Sequence, residues 1–170
     1  FGRSFVEAPA DIWNDPRNAR AIALFTFSGG TPDVIETLLK EGRLPEGDRS
    51  LFEGALSYVR NDLKTAARKL HDVSVEELEP VLAAQVSLAL GQIHQLDDAA
   101  QAIEYLSRAR LLAPGTLIEE AALRRSLVIS VSIGDAETFT RSASAYVRRF
   151  LRSPYASQFA ETFVSGMATL

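Results

Sequence analysis

Residues 99–125, AAQAIEYLSRARLLAPGTLIEEAALRR, admit little besides two helices joined by a tight turn. Ala99, Ala102, Ile103, Leu106, Ala109 and Ala113 recur at intervals of three and four, which puts them on one helical face. Glu104, Arg108 and Arg110 fall largely outside that stripe. Pro114 cannot continue the backbone ladder, and Gly115 reaches the positive φ that closes a helix. Thr116 then offers an N-cap, and Glu119 stands three residues on, the spacing of a capping box. The stretch predicts a helical hairpin, and the same grammar recurs on both sides of it.

Asp15-Pro16 supplies a cap and a first helical residue, and the helix through Ala19 to Phe27 stops at Ser28-Gly29-Gly30. Thr31-Pro32 repeats the device ahead of Val34, Ile35, Leu38 and Leu39, and Gly42 ends that helix. Asp48 can cap a third helix with Leu51, Phe52, Ala55, Leu56 and Val59 on one face. Asn61-Asp62 turns the chain into a fourth stripe, Leu63, Ala66, Ala67 and Leu70. Ser74 with Glu77 suggests a capping box for a helix through Leu90, in which Pro80 marks either a kink or the true first turn. After the hairpin, Gly134 closes a helix, Asp135 starts the next, and Ser153-Pro154 starts a last one to about Met167. The expected fold is all-α, with about nine helices and no strand. Residues 1–12 have no clean period and read as a helical remnant or an arm.

Each helix pair is close to a tetratricopeptide (TPR) unit of about 34 residues. Ala66, Ala102 and Ala136 lie 36 and 34 residues apart, and small residues at such sites let neighbouring helices approach closely. Ala102, Leu106, Ala109 and Pro114 fit the second-helix spacing of that unit, although Leu90 stands where glycine is usual and Thr140 where a large apolar residue is. The expectation is one domain, residues 1–170, of antiparallel hairpins stacked as a TPR-like superhelix, with an ordinary helical bundle as the alternative.

With 170 residues, 46% hydrophobic residues and a mean hydropathy of +0.01, the chain can build a core. A net charge of -4 disfavours a nucleic-acid binder, which needs an extended basic face. There is no cysteine, hence no disulfide and no thiolate chemistry. The longest apolar run, Val81 to Leu90, falls short of a membrane span of about 20 residues. The chain begins at Phe1, so it reads as a fragment or the mature part of a longer protein.

No catalytic constellation emerges. His71 and His94 have no second ligand at helical spacing, so neither a metal nor a cofactor is expected. Glu76, Glu77 and Glu79 suit a helix dipole, and Ser28-Gly29-Gly30-Thr31 follows a helix and lacks a phosphate-loop lysine. The chain therefore reads as a binding module and not as an enzyme. Concave positions of the repeat would show Tyr58 and Val59, then Ser87, His94 and Gln95, then Ile118, Arg125 and Ile129. The competing reading buries Val59, Ile118 and Ile129 in the core. Arg141, Arg148, Arg149 and Arg152 form a basic cluster that is either a solvated face or a patch for an acidic protein surface. Tyr58, His94, Arg125 and these four arginines are the candidate partner-binding residues.

Residues 13–21 (WNDPRNARA), the Ser28-Gly29-Gly30 stop, residues 109–125 (ARLLAPGTLIEEAALRR), and YVRRF of 146–150 with RSPYA of 152–156 together resemble the MotC family. These are periplasmic flagellar-motor proteins of rhizobial-type alphaproteobacteria, and the resemblance runs the length of the chain in order. It implies a non-enzymatic periplasmic protein that is needed for flagellar rotation. Such a protein would act on the periplasmic part of the stator protein MotB as a chaperone or positioning factor. The family's proteins are longer and carry an export signal, so this chain would be an ordered domain of one. A cytosolic TPR-like adaptor for a peptide or helix of another partner is the alternative.

Overall fold

Aspartate side chains start four of the helices in the computed structural model, which describes residues 2–170 apart from the side chain of Arg3. Asp15, Asp62, Asp98 and Asp135 accept hydrogen bonds from the backbone amides of Arg17, Thr65, Gln101 and Thr138, satisfying donors that a helix start would leave bare. Thr116 does the same for Ile118 and Glu119. The resulting helices are α1 (Gly2–Val6), α2 (Pro16–Phe27), α3 (Pro32–Lys40), α4 (Arg49–Val59), α5 (Leu63–His71), α6 (Pro80–His94), α7 (Ala99–Leu112), α8 (Leu117–Ile133), α9 (Ala136–Arg149) and α10 (Ala156–Thr169). Single 3-10 turns occupy Ala10–Asn14, Glu46–Asp48 and Val75–Glu77, and the described residues contain no strand. The all-α expectation is met, and the arrangement is consistent with TPR-like hairpins. The arm expected over residues 1–12 folds as α1 and the start of the first 3-10 turn, while Phe1 lies outside the described residues.

Three expected caps do not form, and the first of them is Thr31, which makes no side-chain cap although Pro32 starts α3 as expected. Ser74 makes no side-chain cap, and its stretch is the separate 3-10 turn that Pro80 required, with α6 beginning at the proline. Asp48 makes no cap because its carboxylate is held by Arg20.

By its contacts the chain divides into two compact units, residues 1–82 and 83–170. In the first, α4 and α5 form the tightest hairpin and α2 packs on α3 and α4. A Cβ on Gly54 would lie 2.5 Å from Leu70 Cδ2, so only glycine permits that approach. Trp13 is buried beneath the Arg43 guanidinium, which also donates to the carbonyl oxygens of Val6 and Ala8 and so ties the N-terminal segment down.

In the second unit α8 is central, packing on α7, α9 and α10. One of its faces places Ala122 and Ile129 against Ala102, Leu106 and Ala109 of α7. Another places Leu123 and Leu127 against Phe139, Ala143, Tyr146 and Phe159. Each large apolar side chain buried in this way contributes about 1.5–3 kcal/mol. The Tyr146 and Phe159 rings stack at 4.0 Å, Phe159 meets Phe163 at 5.9 Å, and Phe163 meets Phe139 at 5.6 Å, which joins α9 to α10 by an aromatic ladder.

Two repeat positions differ from expectation. Ala66 and Ala102 are fully buried, whereas Ala136 is exposed at the first turn of α9 and Phe139 is buried in its place. The glycine that appears missing at Leu90 is Gly91, where a Cβ would come within 2.7 Å of Leu106 Cγ and 3.2 Å of the Ala102 carbonyl oxygen.

Candidate functional site

The α8 residues Ala121, Arg124, Arg125 and Val128 recur at helical spacing and share an open cleft with Gln158, Phe159 and Thr162 of α10. Gln95 completes the lining and Leu127 lies beneath it. The cleft holds about 220 Å³, less than the roughly 300 Å³ at which ordinary small-molecule pockets begin. The Arg124 guanidinium carbon stands over the Tyr155 ring, 4.5 Å from its centroid, and Nη1 donates to Oε1 of Gln158. The Arg124 Nε is buried and has no acceptor. Leaving such a buried donor unpaired costs about 1–3 kcal/mol. Two guanidiniums stand over the apolar floor of Leu127 and Phe159. No three His, Cys, Asp or Glu side chains converge to hold a metal among the described residues.

The Arg125 expected in a groove therefore lines this cleft. Gln95, also expected in the groove, lines it too, and the remaining expected residues are dispersed. Tyr58 belongs to the first unit, half-buried, with its ring 5.6 Å from that of Phe27. His94 has a side chain only 12% exposed, stacks on Tyr105 at 6.0 Å and lies 3.5 Å from Asp97. Burial raises the Tyr105 phenol above its ordinary range. Ser87, expected in the groove, is fully buried and donates to the Ala83 carbonyl oxygen, and Ile129 is buried in the core. Ile118 is partly buried against that core, and Val59 is half-buried.

The four later arginines do not act as one patch. Arg141 donates to Thr138 and pairs with Glu137 of its own helix. Arg149 bridges to Glu119, donating to both carboxylate oxygens at 2.9 Å, and Glu119 also accepts the Gly115 amide. Glu119 is thus more than a capping residue: it is buried and paired with an arginine at the far end of the next helix, α9. Beside it Glu120, 1% exposed, accepts 2.7 Å from the Tyr146 hydroxyl, and burial first and this bond second push the Tyr146 phenol up to about 12. Arg148 and Arg152 are exposed and have no ion-pair partner among the described residues.

Arg124, Tyr155 and Gln158 carry much of the cleft and are missed by the sequence reading. Arg124 was visible only as the neighbour of Arg125, and the contact with Gln158 spans 34 residues. A family model described as chemotaxis protein MotC matches residues 1–170. The chain belongs to the MotC family. Over 157 residues it is 34% identical to the chemotaxis protein MotC of Rhizobium meliloti (strain 1021). That alignment covers 92% of the MotC-family chain studied and 36% of the relative, so the chain spans about a third of the length of the curated relative it matches. No solved structure matches it. No helix of this MotC-family chain, among the described residues, is long and apolar enough to cross a membrane.

Proposed function

We propose that the chain is the helical binding domain of a non-enzymatic flagellar-motor protein that works in the periplasm. It engages the periplasmic part of the stator protein MotB and acts there as a chaperone or positioning factor. Membership of the MotC family supports the motor assignment. The observation that carries a binding mode is the α8/α10 cleft, where Arg124 keeps a buried Nε without an acceptor beside Arg125 and an apolar floor. Such a surface recognises an acidic segment with an apolar neighbour, and arginine suits it because its planar fork matches a carboxylate.

The test is a pulldown of the periplasmic part of MotB by the purified chain at low and high salt, with Arg125→Glu as the variant. Capture that falls with salt and is lost in R125E supports the reading, since exposed charges separated by more than about 8 Å are screened at physiological ionic strength. Equal capture by R125E removes the cleft, and no capture at either salt removes MotB as the partner. Fractionation of the full-length protein separates this reading from a cytosolic adaptor of the same fold.

A further inference from the structure

A second basic pocket lies in the same unit and shares no residue with the α8/α10 cleft. Arg110 and Leu111 from the last turn of α7, Pro114 of the turn, and Ala145, Arg148 and Arg149 of α9 enclose about 260 Å³, with Glu119 in the wall. The charges do not cancel there. Glu119 is taken by Arg149 and by the Gly115 amide, which leaves it no role toward the other two arginines. Arg110 and Arg148 come from different helices and neither has an ion pair or a hydrogen-bond acceptor among the described residues. Leu111, 72% exposed, stands at the same pocket, where an apolar side chain in water is unfavourable.

We infer that this pocket is a socket for a protein segment bearing two carboxylates and an apolar side chain, with Arg110 and Arg148 taking the carboxylates and Leu111 the apolar group. Carboxylates match guanidinium forks in pairs, and Leu111 gives the segment an apolar anchor that a free anion would not use. Nucleic acid is disfavoured by charge: residues 83–170 hold eight arginines, no lysine and eight acidic residues, so no extended basic face surrounds the pocket. The two uncommitted arginines suit a short acidic stretch of protein. The socket stands whether or not MotB is the partner of the other cleft.

The test is an NMR titration of the isotope-labelled chain with an end-capped peptide containing Glu-Leu-Glu in a Gly-Ser background, read at the arginine Nε–H signals and assigned with R110Q and R148Q. The expected result is saturable movement of the Arg110 and Arg148 signals, absent with the Gln-Leu-Gln peptide. R110Q/R148Q weakens binding about tenfold, the size expected from two partly exposed ion pairs. R148Q alone, at an exposed position, shows an intermediate loss and keeps the melting temperature, which guards against a folding artefact. L111S weakens binding severalfold, and R152Q leaves it unchanged. The proposal is overturned if the pocket signals stay still, if L111S has no effect, if sodium phosphate or acetate at equal charge moves them as strongly, or if a short oligothymidylate binds more tightly than the peptide.

Discussion

In residues 1–82 seven cations, Arg17, Arg20, Lys40, Arg43, Arg49, Arg60 and Lys69, meet carboxylates. Arg20 holds Asp48 at 2.9 Å, Lys69 and Arg49 share Glu53, and Lys40 and Arg60 share Glu36. In residues 83–170 Arg110, Arg148 and Arg152 meet none among the described residues, while the Arg124 guanidinium lies over the Tyr155 ring and donates to Gln158. The carboxylates differ in the same sense. Glu119 and Glu120 are buried, and each is held by a side chain of α9, Arg149 and Tyr146. The first unit uses its charges on its own surface, where they close networks between helices. The second unit buries two of its carboxylates, Glu119 and Glu120, and leaves arginines such as Arg148 and Arg152 exposed. All three lysines of the chain are in the first unit, and all eight cations of the second are arginines, the side chain suited to bidentate recognition.

The largest effect that sharpens this contrast is expected at Tyr146. Tyr146→Ala removes a fully buried ring from the α9/α10 ladder and is expected to cost about 3–5 kcal/mol. Tyr146→Phe keeps the ring but strips Glu120 of its donor and is expected to cost about 1–3 kcal/mol. Urea unfolding followed by hydrogen exchange at α9 and α10 measures both, and a silent Y146F breaks the claim that an internal carboxylate organises this unit.

The pH dependence is expected to separate the units. Tyr146 titrates above its ordinary value of 10.0, so its contribution is complete below pH 10 and is lost as pH rises toward about 12. That shift corresponds to about 2–3 kcal/mol. In the first unit, hydrogen bonds from Lys40 and then Arg60 lower Glu36, and bonds from Lys69 and then Arg49 lower Glu53. Their contribution is present above the ordinary 4.5 and is lost as pH falls below it. Acid is therefore expected to loosen the first unit through these pairs and alkali the second. Trp13, the single tryptophan, reports the first unit by fluorescence, and exchange at α9 reports the second. Loss in the opposite order contradicts the contrast.

The smallest effects compare one arginine from each unit. Arg20→Ala opens a mostly buried pair and is expected to cost about 2 kcal/mol, below the roughly 3–5 kcal/mol of a fully buried pair because both side chains retain some exposure. Arg148→Gln is expected to change stability by less than about 0.5 kcal/mol, since the side chain is exposed and has no ion-pair partner among the described residues. Thermal unfolding of both variants decides whether the arginines of the second unit are structural or available.

Helix positions were largely legible because their signals are local. Asp15, Thr116 and Asp135 cap as their sequence neighbours suggest, and Pro16, Pro32 and Pro80 each stand first in a helix. The expected nine helices are α2 to α10, with the short α1 added. The candidate site was less legible. Gln95 and Arg125 line the cleft, whereas Ser87, expected on the same concave face, is buried and bonded to the Ala83 carbonyl oxygen, because helical spacing does not say which face of α6 is covered.

The amino-acid sequence by itself determined the helical class, most element boundaries and the family, since proline, glycine, caps and apolar spacing act within a turn or two of chain. Only the tertiary structure decided the state of each charge. Glu120 meets Tyr146 across 26 residues, Glu119 meets Arg149 across 30, and Arg124 meets Gln158 across 34. Helical periodicity says which residues share a face and is silent on which face meets which. The hairpin at 99–125 therefore announced its turn in sequence, while the burial of Glu119, and with it the freedom of Arg110 and Arg148, came from the packing of α9.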